Sequence, residues 1–186
     1  STNNAPVITP PFAGSFETTV NAGDLVTFNL QSTDVELLQN GSPQQNSILA
    51  SSIIFGTNTT SALGCNTPPC ATLSAPPPVT GVQGASVNFN WQTDCDHLID
   101  GAGNAVDLMP YYFVFNVKDN FCQIPGITYA TVKVNVVNPN VIQAPNIDCI
   151  QGSGTGDFTL QWQPVADPNG SFIEYQIHSV QDGLIA

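Results

Sequence analysis

Carboxylates are the most abundant reactive groups in this 186-residue sequence, and few of them can find a protein cation. Fourteen Asp and Glu residues face only Lys118 and Lys133, with no Arg, for a formal net charge of −12. Most carboxylates must therefore be solvated or paired with something else. A divalent metal is one reading. The other is an acidic, Asn/Gln/Thr-rich surface that keeps a secreted protein soluble. Asp34 and Glu36 share one polar stretch, Asp119 opens another, and Asn3 and Asn4 stand near the chain start. Calcium takes about six to eight hard oxygens, and three carboxylates with Asn carbonyl oxygens make a partial set. Asp94 and Asp96, beside His97, form a thinner second group that reads as a solvated loop ahead of a metal clamp.

Nucleophilic catalysis has little to work with. His97 and His178 are the two histidines, and no Gly-x-Ser-x-Gly elbow sits on a strand–helix turn. The glycine-rich run Gly152 to Gly156 precedes a strand pattern, not a helix, so it does not cradle phosphate. A carboxylate pair for glycoside hydrolysis stays open, because any two of the acids could face each other. On balance the chain reads as a non-enzyme.

Five cysteines with two lysines fit an oxidising, extracellular setting better than cytosol. Cys65-Asn-Thr-Pro-Pro-Cys70 has a gap that suits zinc thiolates, but two prolines stiffen it and no second pair follows. As disulfide partners, Cys65 and Cys70 close a small local loop, which is the favoured reading. Pairing of either with Cys95 is the alternative. Strand polarity separates Cys95 from Cys122, and Cys149 is left over, its partner expected beyond Ala186. The shortage of cations also argues against nucleic acid and anionic lipid as partners. No run of ~18 apolar residues is present to span a membrane.

These groups are carried by strands. Tyr111, Phe113, Phe115 and Val117 alternate with polar or outward residues, and Ala130, Val132, Val134 and Val136 repeat the pattern after a turn at 119–126. Val26, Phe28 and Leu30 mark a strand, as do Val87, Phe89 and Trp91. A further strand is expected over Ile48 to Phe55, with Ile53 and Phe55 inward. Pro6, Pro10 and Pro11 make the first strand a broken edge strand, continued over Ser15 to Val20. Residues 56–84 form an irregular insertion with a short edge strand near Ala71 to Leu73. About seven strands and no amphipathic helix predict an all-β sandwich over 1–140. Tyr112 and Tyr129 are expected to face away from its core. Residues 141–186 open on a Pro-bearing linker and hold strand patterns at Phe158 to Trp162 and Ile173 to His178, too few for a closed module.

A family resemblance follows from particular stretches. Asn4-Ala-Pro-Val-Ile, the run Val20 to Phe28 and Ser32-Thr-Asp-Val-Glu36 look like a cadherin-like or PKD-like repeat of the Ig-like sandwich type. Pro68 to Leu73, Phe89 to Leu98 and Tyr112 to Cys122 are similar to repeats of the very large surface adhesins of gliding Bacteroidota. Ala144 to Cys149, Phe158 to Trp162 and Ala166 to Gly170 resemble the start of a fibronectin type III module, here truncated. The resemblance implies a structural repeat of an extracellular, cell-surface filament that serves attachment and gliding motility. Its partners would be neighbouring modules of the same chain and a surface polysaccharide or protein. In cadherins an Asp-x-Asp after the second strand and an Asp after the sixth bind calcium, which points to Asp34, Glu36 and Asp119 at the pole where the chain enters. Glu36 departs from that pattern. The alternative function is a carbohydrate-binding accessory sandwich of a secreted enzyme, with Tyr112 and Tyr129 as its aromatic platform.

Overall fold

The computed structural model describes residues 3–56, 59–139, 145–152, 154–155, 157–165 and 174–177. The chain divides into two compact units, Ser1–Asn138 and Pro139–Ala186. In the first unit the strands are β1 (Val7–Thr9), β2 (Glu17–Asn21), β3 (Leu25–Thr33), β4 (Gln45–Ser51), β5 (Thr72–Leu73), β6 (Val79–Val82), β7 (Ser86–Gln92), β8 (Leu108–Asp119) and β9 (Ile127–Val137). A single turn of 3-10 helix spans Cys95–Leu98. One sheet has the order β1-β3-β7-β5, the other β2-β9-β8-β4-β6. The fold is an all-β sandwich.

Alternation decides which side chains meet between the layers. Val26, Phe28 and Leu30 of β3 and Val87, Phe89 and Trp91 of β7 face Phe113, Phe115 and Val117 of β8 and Val132, Val134 and Val136 of β9. The rings interlock. Phe28 stacks on its cross-strand partner Phe89 with centroids 4.4 Å apart, and Phe89 meets Phe113 of the opposite sheet edge-on at 4.7 Å. Trp91 is 1% exposed and packs edge-on against Tyr111 at 4.9 Å. Each such side chain contributes about 1.5–3 kcal/mol by leaving water.

The chain enters by touching both sheets. β1 pairs antiparallel with β3; Pro10 and Pro11 then break the ladder, and β2 runs parallel to β9. Two expectations need correction. The strand placed over Ile48 to Phe55 lies at Gln45–Ser51, and the chain turns at Ile53 and Ile54. That turn leaves Ile53 73% exposed and buries Ile54, while Phe55 is buried as expected. The insertion also contributes β6, which pairs with β4 at the sheet edge.

In the second unit β10 (Ile147–Gly152) pairs antiparallel with β11 (Phe158–Trp162). The Trp162 ring meets Tyr175 edge-on at 5.3 Å. No strand forms over the described residues 174–177, where a third was expected. The stretch Ala166 to Gly170 lies outside the described residues, as do His178 and most of the linker over 138–145.

Candidate functional site

At the pole where the chain enters the first unit, the inward-facing series changes from apolar to polar at one level on three strands. β3 runs Phe28, Leu30, then Ser32 and, just past its end, Asp34. Read backwards, β4 runs Ile48, Asn46, then Gln44 just before its start. β8 runs Phe115, Val117, then Asp119. All five polar residues are buried, Gln44 and Asn46 completely. Strand alternation thus continues past the hydrocarbon core and deposits a polar layer between the sheets.

The entering segment closes this layer. Asn3 donates from Nδ2 to Asp119 Oδ2 at 2.9 Å and accepts at Oδ1 from Gln44 Nε2 at 2.8 Å. The Gly126 N–H donates to the same Asp119 oxygen at 2.9 Å, and the Phe121 N–H donates to Oδ1 at 2.9 Å. Asn4 donates its backbone N–H to Glu36 Oε2 at 2.7 Å and its side-chain amide to Oε1. Glu36 in turn donates its N–H to Asp34 Oδ1 at 3.1 Å. Glycine is required at 126: a Cβ there would lie 2.5 Å from Asp119 Oδ2 and 2.7 Å from Ala5 Cα. Its absence lets the entering backbone and the carboxylate approach together.

Electrostatics at this pole are one-sided. Burial pushes the Asp34 carboxyl up; the N–H of Glu36 opposes that shift, while the nearby Asp119 and Glu36 charges add to it. Among the described residues, the buried side-chain polar atoms without a protein partner all fall here: Asp34 Oδ2, Gln44 Oε1, and Nδ2 and Oδ1 of Asn46. Buried atoms of this kind are ordinarily met by ordered water.

The structure gathers Asn3, Asn4, Asp34, Glu36 and Asp119, the five residues expected around calcium, but not as a cage. Both oxygens of Glu36 and of Asp119 accept from N–H groups. Asn3 and Asn4 present donors to those carboxylates, where a cation would need acceptors. Among the described residues no group of three or more His, Cys, Asp or Glu side chains is placed to hold a metal ion. The chain's own N–H groups occupy both oxygens of Glu36 and of Asp119, while Asp34 Oδ2 has no protein partner.

At the other end of the unit, Asp94 and Asp96 serve a different purpose. Asp94 caps the 3-10 helix, its Oδ1 accepting from the Asp96 N–H at 3.2 Å, and His97 Nδ1 accepts from the Asp94 N–H at 2.9 Å. That bond makes Nε2 of His97 the donor to the Thr67 carbonyl at 3.1 Å. The imidazole is fully buried, edge-on to Trp91 at 4.9 Å. Cys65 and Cys70 form a disulfide, with Cα atoms 5.7 Å apart. Cys95, Cys122 and Cys149 are free and exposed. Trp91 Nε1 donates to the Pro69 carbonyl at 3.0 Å, so the disulfide loop is tied to the core by two ring nitrogens.

Ser32, Gln44 and Asn46 are the members of the polar layer that the sequence did not announce. A signal was present: Ser32 stands two residues after Leu30, and Gln44 and Asn46 four and two residues before Ile48, on the inward face of their strands. Gly126 and the Phe121 N–H belong to a loop whose pairing no spacing rule announces.

No protein-family model matches the sequence, and no curated relative does. Among solved structures that align with it is a family 123 glycoside hydrolase from Clostridium perfringens, at 11% identity and a TM-score of 0.31. That alignment covers 76% of this chain and 28% of the hydrolase. A likeness this slight carries no argument about activity.

Proposed function

We propose that the first unit is a force-bearing spacer, a structural segment of an extracellular adhesive filament that joins neighbouring modules of the same chain. One observation supports this reading above the others. β2, near the unit's start, and β9, its last strand, are hydrogen-bonded in parallel over five residue pairs, Glu17↔Lys133 to Asn21↔Val137. Tension applied through the two ends of the unit draws these strands past each other. Every bond of the ladder is then loaded at once instead of one after another. The Lys133 ammonium donates to Glu17 Oε1 at 2.8 Å across the same pair. The amide clasp of Asn3 and Asn4 anchors the entering segment ahead of β1, so the joint is stiffened where tension arrives.

Single-molecule pulling on the chain tests the proposal. Lys133 N donates to the Phe16 carbonyl and Ala22 N to the Val137 carbonyl. By the parity of a parallel ladder, the N–H groups of Thr18 and Val20 also face β9. Thr18→Pro removes one such donor from an edge strand. The expected result is a lower unfolding force for the first unit. An unchanged force would show that the β2–β9 ladder does not carry the load.

A further inference from the structure

The insertion between β4 and β7 does more than fill space. Its disulfide loop forms one wall of a cleft of about 690 Å³, bounded otherwise by the turn after β4, the start of β8 and the hairpin at 99–105. That volume lies within the range of small-ligand sites, ~300–1,000 Å³. The wall is rigid before any ligand arrives. Cys65 and Cys70 are bonded, His97 holds the Thr67 carbonyl, Trp91 holds the Pro69 carbonyl, and the Tyr111 hydroxyl donates to the His97 carbonyl at 2.8 Å.

Mixed chemistry lines the cleft. Tyr112 and Ile53 are 53% and 73% exposed, large apolar surfaces left in water in the cleft lining. Ser51, the exposed Asn66 and Asp100 line the same cleft. Asp100 is oriented by its own turn: the N–H groups of Ala102 and Asn104 donate to Oδ1 at 2.9 and 2.8 Å. These bonds, with the Asn104 side chain, hold its carboxyl below the usual range. An ionised carboxylate accepts from hydroxyl or amino donors and repels anions. Neither lysine lines the cleft to receive an acidic ligand: Lys133, the cross-strand partner of Tyr112, is engaged by Glu17, and Lys118 lies further along β8. A hydrocarbon chain would need a closed apolar tunnel, and this cleft opens to solvent beside polar groups.

We propose that this cleft binds a neutral saccharide. Tyr112 and Ile53 would cover the C–H face of a sugar ring, while Asp100, Asn66 and Ser51 would bond its hydroxyls. The inference adds a ligand site to the proposed spacer and stands independently of its mechanical role. A flat platform centred on Tyr129 is a separate arrangement, since Tyr129 lies on β9, outside the cleft.

The test is titration of the whole chain with short neutral oligosaccharides of glucose, mannose, galactose, xylose and N-acetylglucosamine units, selected first on an array. Tyr112→Ala, Asn66→Ala and Tyr129→Ala are compared, with thermal melts to show that each variant stays folded. At least one neutral oligosaccharide is expected to bind. Tyr112→Ala should weaken it roughly tenfold or more, Asn66→Ala should weaken it measurably, and Tyr129→Ala should leave it unchanged. Three outcomes overturn the inference: no neutral oligosaccharide binds; binding survives both cleft substitutions or is lost with Tyr129→Ala; or only acidic oligosaccharides or a Lys-rich peptide engage these residues.

Discussion

The two poles of the first unit solve the same problem with different groups. Where the chain enters, the carboxylates of Asp119 and Glu36 need partners, and the N–H groups of Asn3, Asn4, Phe121 and Gly126 supply them. At the far pole the buried polar groups are ring nitrogens and a phenol, and they reach backbone carbonyls of the disulfide loop and the 3-10 turn. With two lysines and no arginine, ion pairs contribute little, and Lys133 is engaged by Glu17 on the β2–β9 ladder. One pole is therefore acidic and wrapped in donors. The other is aromatic and stapled by sulfur. A buried polar group left without its partner costs about 1–3 kcal/mol, so each device is also the weak point of its own pole.

Substitutions at the two ends should separate in size. Trp91→Ala is expected to cost about 3–5 kcal/mol, because it empties the centre of the aromatic pole and frees the Pro69 carbonyl. Denaturant melts read this directly, and a loss under about 1 kcal/mol would place Trp91 outside the energetic core. Asp119→Ala strands the donors of Asn3, Phe121 and Gly126 and should cost about 3 kcal/mol. If it cost less than the removal of Asn3 alone, the polar layer would not act as a unit. Replacing Cys65 and Cys70 together by Ser opens a loop with a sequence separation of 5. The chain-entropy cost of opening so short a loop is about 2 kcal/mol. Asn3→Ala should cost about 1 kcal/mol.

The smallest effect concerns acid. The raised carboxyl of Asp34 binds its proton more readily in the folded chain than in the unfolded one. Its contribution to stability therefore improves as pH falls through its raised folded value towards the ordinary aspartate value of 3.8, and is least favourable at neutral pH. The stability difference between the native chain and Asp34→Asn should shift in the native chain's favour over that acid window. A difference that stayed flat would mean that Asp34 titrates alike in both states.

Much of this contrast was legible before the structure. Strict alternation in β3, β7, β8 and β9 predicted the sandwich, because Val, Phe and Trp at every second position have one stable destination. Chain-entry geometry brought Asn3, Asn4, Asp34, Glu36 and Asp119 to one pole. What alternation missed were the polar residues on its own inward face. Gln44 and Asn46 fall ahead of the strand expected from Ile48, since a pattern counted in apolar residues stops where the core turns polar. For the same reason β4 was placed too late in the chain, and Ile53 was assigned inward. The burial of His97 depends on a carbonyl 30 residues away, at Thr67, which no local pattern announces. Carboxylates at one pole also suggested calcium; that Glu36 and Asp119 there accept N–H groups of the chain itself is not written in composition.

Thermal melting of the native chain in excess calcium and in chelator tests the clasp most directly. The account predicts superimposable curves, with the entry pole loosened by Asn3→Ala in both conditions alike. A melting temperature that rises with calcium, and loses that rise in Asp34→Asn or Asp119→Asn, would contradict it.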